Sequence, residues 1–555
     1  MKKITLCTLL FVYSLGLSAQ QVNCYRLQLA DKAGTPFTID NPSQFLTQRA
    51  IDKRIRFEIP ITEEDLPISP SYIQTIKNVN SQIAVLAHSK WFNTVTIFCP
   101  QQYLTTIQNL PFVVNILPVA KLDFYGQGKS FTTETPALTN EINVQPIANS
   151  QKSVDDFFDY GAGYGQIAMH NGQYLHNQGF RGEDMLIAVI DAGWNNFNTI
   201  SVFQRLYNNG QIKGVRDLIP YINNVFAGHG HGTAVTSTIA SLENGIFVGT
   251  APNADFFFIR SEHPYTEQLI EEDFWAYAAE IADSLGVDVI NSSLGYTTFP
   301  DFPQGDWTYA QMDGTASIAS LAAFKATLKG VVVCVSAGNS GGEGDFHYIS
   351  HPADALNVLA VAALYPDSTL AYFSSRGPSY DGRVKPDVSA TGALAVGYTE
   401  DGGLNYIFGT SFASPITAGV AACLWQSLPH LTAVQLMQIM RENAHIYANP
   451  NDDFGYGIPD VYKAFLAGST QVESHTPSQH IIPFPNPTQD VFYLSNEYRE
   501  VSKVILYDLN GQVVKTVIPN SDSLIEVVVA ELYTGIYFGE VIAKKSTSKF
   551  KIVKL

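Results

Sequence analysis

Residues 185–191 read MLIAVID, an almost unbroken apolar run that closes on a carboxylate. Its length and its content of Val and Ile suit a strand buried on both faces, where neither side of the chain needs polar residues. Three later runs repeat the pattern: VDVINSSLG (287–295), GVVVCVSAGN (330–339) and NVLAVAAL (357–364). Between them lie EEDFWAYAAEIADSLG (271–286) and GTASIASLAAFKATLKG (314–330), helical stretches each closed by a glycine suited to a helix C-terminus. Strand and helix in alternation predict a doubly wound α/β unit with a mostly parallel sheet. Ligands of such sheets bind beyond the carboxyl ends of the strands. The polar residues that close the runs, Asp191, Asn291 to Gly295 and Ser336 to Asn339, are therefore expected in one crevice.

The stretch FAGHGHGTAVTS (226–237) supplies two histidines one residue apart. They read as two metal ligands, as one base with a bystander, or as two loop residues. A metal site needs further ligands at matched spacing, and His263, His347 and His351 stand in separate stretches without such a pattern. Val235, Ile239 and Leu242 fall at helical spacing, which places His231 at the start of a helix and His229 in a glycine-flanked loop. Fixed placement favours His231 as a working base and leaves His229 a bystander on the rim.

In GTSFASPITAGVAACLW (409–425), Ile416, Val420 and Leu424 mark a second helix, with Ser411 at its start and Pro415 in its first turn. Taken singly, Ser411 reads as an N-cap, Asp191 as a carboxylate capping a turn, and Asn339 as a turn residue. Taken together they read differently. A serine hydroxyl is a poor nucleophile until a base takes its proton, and the base needs an acid to fix its tautomer. An amide beside them can donate to an oxyanion.

Bulk properties narrow the field. A chain of 555 residues is expected to hold about three domains. With 33 basic and 51 acidic residues the net charge is −18, which argues against nucleic acid or another polyanion as partner. The opening MKKITLCTLLFVYSLGLSAQQ reads as a signal peptide over residues 1–19, and no later stretch is long and apolar enough to span a membrane. Cys24, Cys99, Cys334 and Cys423 remain once Cys7 leaves with the signal. They are too few for a disulfide framework, and Cys334 and Cys423 read as small buried hydrophobes. Pairing of Cys24 with Cys99 stays open.

The ordered series IAVIDAGW, GHGHGTAV, NSSLGY, VSAGNSGG, VKPDVSATG, YIFGTSFASPITAGVAA and GYGIPDVYKAF resembles the motif series of subtilisin-like serine proteases, the subtilase or S8 family, from about Gln166 to Leu466. The resemblance implies Asp191 as acid, His231 as base, Ser411 as nucleophile and Asn339 as oxyanion donor. It makes Ser292, Ser293, Leu294 and Gly295 the segment that pairs with substrate backbone, and Ser336, Ala337 and Gly338 the opposite pocket wall. Ser350 matches a back-wall position, which implies a preference for medium apolar or aromatic side chains. DAGW replaces the commoner D-[ST]-G, and Ala234 stands where many relatives have histidine. The chemistry implied needs no cofactor. Structural calcium is common in the family, but no ligand cluster is recognisable, and acidic loops such as NPNDDFG (449–455) read as solvated.

Residues 20–121, with strand-like runs around a SPSYIQTIKNV helix, resemble the propeptide of secreted subtilases, an intramolecular inhibitor. Residues 122–160 read as a linker holding the processing site, 161–467 as the catalytic domain, and 468–480 as a second linker. Residues 481–555 read as a small β-sandwich. Its PNP opening, YDLNGQVV hairpin and GIYF strand resemble the C-terminal sorting domain of proteins exported by the type IX system of Bacteroidetes. The expected product is a secreted endopeptidase made as a zymogen, acting on protein or peptide substrates and reaching the periplasm and then the cell surface or medium. A silent adhesin on a protease fold is the competing reading.

Overall fold

The computed structural model describes residues 22–121, 155–220, 224–263, 266–342, 344, 346–469, 483–495, 501–508, 511–519, 524–543 and 547–555. The signal peptide, residues 122–154 of the first linker, residues 470–480 of the second and residues 481–482 of the last module lie outside them.

The first module is an antiparallel sheet of β1 (Cys24–Leu29), β2 (Ala84–Ser89), β3 (Thr94–Phe98) and β4 (Val113–Ala120) in the order β2-β3-β1-β4, with helices α1 (Gln48–Arg56), α2 (Pro70–Asn78) and α3 (Gln101–Gln108). Cys24 and Cys99 are both buried and are not joined by a disulfide.

The apolar runs of the middle region become strands of one sheet: β5 (Leu186–Asp191), β6 (Ile212–Asp217), β7 (Asp255–Arg260), β8 (Val289–Ser292), β9 (Val332–Ser336), β10 (Leu359–Leu364) and β11 (Val388–Thr391). Their order is β11-β10-β9-β8-β5-β7-β6, and each neighbouring pair is parallel. Every residue of β5 is buried, and its side chains alternate between two cores. Ile187 and Val189 face one core with α4 (His231–Ala240) and α7 (Thr410–Ser427), while Ala188 and Ile190 face the other with α5 (Ile270–Leu285) and α6 (Ile318–Leu328). This is the period-two consequence of helices on both faces. The strands are shorter than the apolar runs suggest. Residues 293–295 and 337–339 leave the ladder and turn into loops at its carboxyl end.

Two boundaries move. Phe158 and Tyr160, assigned by sequence to the linker, are buried in the α4/α7 core, because aromatic side chains of this size are driven out of water. The helix Val461–Ser469 runs two residues into the second linker.

The first module lies on α5 and α6 and is held by charge complementarity. Arg26 donates to both oxygens of Asp273 at 2.6 and 2.7 Å. Glu280 accepts from the Ser89 hydroxyl and from the N–H groups of Lys90 and Trp91, at 2.8 and 3.1 Å for the latter two. Arg54 pairs with Asp283 at 2.6 Å, and in the opposite sense Lys329 of the helix region pairs with Asp65 at 2.8 Å and Lys325 with Glu64 at 2.9 Å. At the end of β4 the Lys121 N–H donates to Gln268 Oε1 at 2.7 Å.

The last module has strands β12 (Val491–Ser495), β13 (Val501–Tyr507), β14 (Val513–Val517), β15 (Leu524–Val528), β16 (Gly535–Ala543) and β17 (Thr547–Lys554). They form sheets β12-β15 and β14-β13-β16-β17, whose inner residues share one apolar core, consistent with a sandwich. Phe484 is fully buried and packs edge-on against Phe324 of α6, with Leu328 and Leu356 beside it.

Candidate active site

The crevice forms where the chain reverses its direction of filling the sheet. After β5 the strands β6 and β7 lie to one side and β8 to β11 to the other, so loops at the carboxyl ends of β5 and β8 diverge and leave a cleft. Asp191 closes β5 and is fully buried. Its Oδ1 accepts from the Ala192 N–H at 2.7 Å and from His231 Nδ1 at 2.8 Å. Asp191 Oδ2 is buried without a hydrogen-bond partner among the described residues. Burial pushes the His231 pKa down, but the charge of Asp191 and its hydrogen bond more than reverse this, leaving it above the ordinary histidine value.

Ser411 is the second residue of α7, a helix buried on all sides from Thr410 to Trp425. Its ring neighbour Phe412 stands 6.0 Å from the His231 ring, which brings the starts of α7 and α4 to the same cleft. Ser411 Oγ donates to the Ser293 carbonyl at 3.4 Å, and His231 Nε2 has no hydrogen-bond partner among the described residues. The bond between serine and histidine is therefore open here, and such bonds tighten when substrate binds. Pro415 is the sixth residue of α7, not part of its first turn. Its missing N–H frees the Ser411 carbonyl, which accepts from the Ser293 hydroxyl at 2.7 Å instead.

Asn339 is exposed, and its amide has a defined orientation. Oδ1 accepts from the Thr410 N–H at 2.9 Å and from Thr410 Oγ1 at 3.0 Å, which leaves the Nδ2 hydrogens without a partner among the described residues. Ser292, by contrast, accepts from the Trp275 indole at 2.8 Å, so its side chain serves the core and only its backbone can face the cleft. Leu294 and Gly295 stand at the surface, and the Leu294 carbonyl accepts from Ser336 Oγ at 3.3 Å. Ser350 N–H donates to the Ala337 carbonyl at 3.1 Å. Its hydroxyl is buried and unpartnered among the described residues, 2.3 Å from where a Cβ on Gly295 would be and 3.3 Å from one on Gly338. Only glycine leaves room on both walls, and Gly338, at φ +112°, also needs glycine for its backbone. Of the twelve residues singled out by sequence, Asp191 and His231 are in direct contact, Ser411 meets Ser293, Asn339 meets Thr410 beside Ser411, Ser336 meets Leu294, and Ser350 meets Ala337.

His229 departs from the bystander expected of it. Its Nδ1 accepts the His231 N–H at 3.2 Å. Helical periodicity could not reveal this, because the bond runs from the loop before the helix.

Sequence also missed three carboxylates, Glu262, Glu267 and Glu271, whose oxygens lie within 4.8 Å of one another. Two of them already accept hydrogen bonds from the protein. Glu262 accepts from the Tyr296 hydroxyl, and Glu271 from the N–H groups of His263 and Gln268. Burial first, and then repulsion from neighbouring carboxylates, lifts the pKa of Glu262 and Glu271 well above the usual carboxylate range.

A buried carboxylate on a histidine, a helix-start serine in the same cleft and an oriented amide define a serine peptidase of the acyl-transfer class. Comparisons agree with this class. Residues 182–457 match the subtilase family, residues 24–133 the peptidase S8 propeptide domain of Bacteroidota, and residues 483–555 a secretion-system C-terminal sorting domain. The chain is 30% identical to subtilisin E of Bacillus subtilis strain 168 over 299 residues, 52% of this chain and 68% of that one. It is 30% identical over 286 residues to subtilisin DY of Bacillus licheniformis, 50% of this chain and 89% of that one. With serine protease AprX of Bacillus subtilis strain 168 it shares 28% over 351 residues, 57% and 71% of the two chains. The chain belongs to the subtilase family. It is a secreted serine endopeptidase of the subtilisin type, made as a zymogen with a propeptide and carrying a type IX sorting domain that implies a secreted or cell-surface location. No helix among the described residues is long and apolar enough to cross a membrane.

Proposed function

We propose that Ser411 is the nucleophile, His231 its base, Asp191 the acid that holds the imidazole, and Asn339 the oxyanion donor together with the Ser411 N–H. The observation that carries this is the 2.8 Å bond from His231 Nδ1 to a carboxylate with no exposure to water. That bond leaves Nε2 as the lone pair facing the cleft, the position from which a base takes the serine proton. Ser411 Oγ attacks the peptide carbonyl, forming the C–O bond while its proton passes to His231 Nε2. The tetrahedral oxyanion is met by Asn339 Nδ2 and the Ser411 N–H, one of the first helical N–H groups that lack an intrahelical acceptor. Collapse expels the amine with the proton from His231, and water repeats the sequence on the acyl-enzyme.

Substrate backbone pairs along Ser292 to Gly295, and the side chain before the scissile bond enters between Leu294–Gly295 and Ser336–Gly338 with Ser350 at the back. A single small hydroxyl at the back supports medium apolar or aromatic side chains. The propeptide is cut within residues 121–160, and export runs through the Sec signal and then the type IX machinery. A fluorophosphonate probe tests the site: it labels the mature enzyme, and labelling retained by Ser411→Ala would refute the nucleophile. The mass of the secreted enzyme tests processing, since an active chain still carrying residues 20–121 would refute the inhibitor reading.

A further inference from the structure

The first N–H groups of a helix have no acceptor within it, and Gly230 at the N-cap of α4 has no side chain to supply one. The Gly232 N–H goes to the Gly193 carbonyl at 2.9 Å, and the Thr233 N–H to the Gly230 carbonyl at 3.1 Å. The His231 N–H goes to His229 Nδ1 at 3.2 Å. On its other side His229 uses its carbonyl to accept the Asn195 N–H at 2.9 Å, in the loop that follows Asp191 and Gly193. Thr233 Oγ1 closes the same loop by donating to the Asn195 carbonyl at 2.9 Å. One residue therefore touches both the loop of the acid and the backbone of the base.

We propose that His229 is a positioning residue: through its unprotonated Nδ1 and its carbonyl it ties the helix start that carries His231 to the loop that carries Asp191. The inference rests on reading His231 as the base. An imidazole nitrogen accepts only while it is unprotonated, so the tie exists in the tautomer with hydrogen on Nε2. The charged groups facing the ring are His231 on α4, Asp191 on β5, Arg260 at the end of β7 and Glu400 in the turn before Leu404. Burial first, and then the neighbouring His231, holds the His229 pKa below the ordinary histidine value, with Asp191 and Glu400 opposing. At neutral pH the acceptor is present. Protonating His229 at lower pH removes the tie and sets a second cation about one ring away from the imidazolium of His231, whose centroid is 6.1 Å distant.

The test compares mature wild type, His229→Ala and His229→Asn on a chromogenic peptide across pH. Alanine removes the acceptor, whereas the Oδ1 of asparagine can reach the N–H two residues on, as in an Asx turn. In His229→Ala, kcat is expected to fall about tenfold, the scale of one lost capping bond, with KM within about twofold. His229→Asn is expected to recover kcat to within about threefold of wild type. The acid limb of the kcat profile is expected to fall with a slope of one proton at first and to steepen at its acid end in wild type, and to keep a slope of one in His229→Asn. Equal kcat in alanine and asparagine variants, or one acid limb common to all three, would overturn the proposal. His231→Ala, assayed alongside, separates this from failure of the base assignment: activity surviving there refutes the base, whatever the His229 variants do.

Discussion

At the residue scale, Asn339 is held by its oxygen, and the holder is Thr410, the neighbour of Ser411. Removing the amide in Asn339→Ala should lower kcat by about 10²- to 10³-fold with little change in KM, because the donor meets an oxyanion that only the transition state presents. Asp191→Asn should cost about 10⁴-fold in kcat by turning His231 to the wrong tautomer. The pH profile follows from the raised His231 pKa. The base works when neutral, so kcat/KM should be lost as pH falls through a midpoint above the ordinary histidine value of about 6.5. Asp191→Asn should move that midpoint down, and an unmoved midpoint in residual activity would assign the titration elsewhere. Asp191, His231 and Ser411 could be singled out because each stands at the end of an apolar run or the start of a periodic one, whereas Ser350 came only through the family resemblance. Their side-chain directions were not. Ser292 and Ser293 read alike in NSSLG, yet one hydroxyl serves Trp275 and the other the Ser411 carbonyl. Likewise Ala192, lacking the hydroxyl of D-[ST]-G, stands beside an Asp191 whose Oδ2 has no partner among the described residues.

At the scale of elements, the parallel strands and their covering helices could be read from periodicity, since both depend on local burial. Helix α1 could not. QRAIDKRIR presents cations on the side that packs, and they become buried only because the carboxylates of α5 and the adjoining loop receive them. Arg54, Asp65 and Asp283 are each at most 2% exposed, so Arg54→Ala takes the guanidinium from between two buried carboxylates and leaves Asp65 to Lys329 and Asp283 to Lys90. In the Ser411→Ala zymogen, that change should destabilise the chain by about 3 kcal/mol, seen as a lower unfolding midpoint. Docking also depends on pH. Burial raises the Glu64 pKa, but Lys329 and Lys325 overcome this and hold it at about 2, below the ordinary value of about 4.3. A depressed carboxylate stabilises above its ordinary pKa and ceases to do so as pH falls through the lowered one. The Glu64 contribution should therefore be complete above about pH 4.3 and fade toward about pH 2, and Glu64→Gln should remove that portion of the acid dependence of zymogen unfolding.

At the scale of the whole molecule, the order of modules was visible in composition, but their contacts were not, because each contact joins residues more than a hundred positions apart. Phe484 reads as one aromatic in a proline-rich opening, yet it is fully buried beside Phe324 and Leu328. Phe484→Ala should cost about 3 kcal/mol and split the calorimetric transition, the sandwich melting before the catalytic unit. A single unchanged transition would show that the sandwich is held in other ways. Helix α6 has the propeptide on one side, through Lys325 and Lys329, and the sorting module on another, through Phe324 and Leu328. In the full chain it is an inner partition. Loss of the propeptide would strip it of its counter-charges, and loss of the sandwich would wet its aromatic side. Phe324, Lys325 and Leu328 would then pass from wall to outer skin while Ala319, Ala322, Ala323 and Ala326 keep their places on the sheet, so the finished enzyme must stay soluble with a surface that its precursor kept indoors.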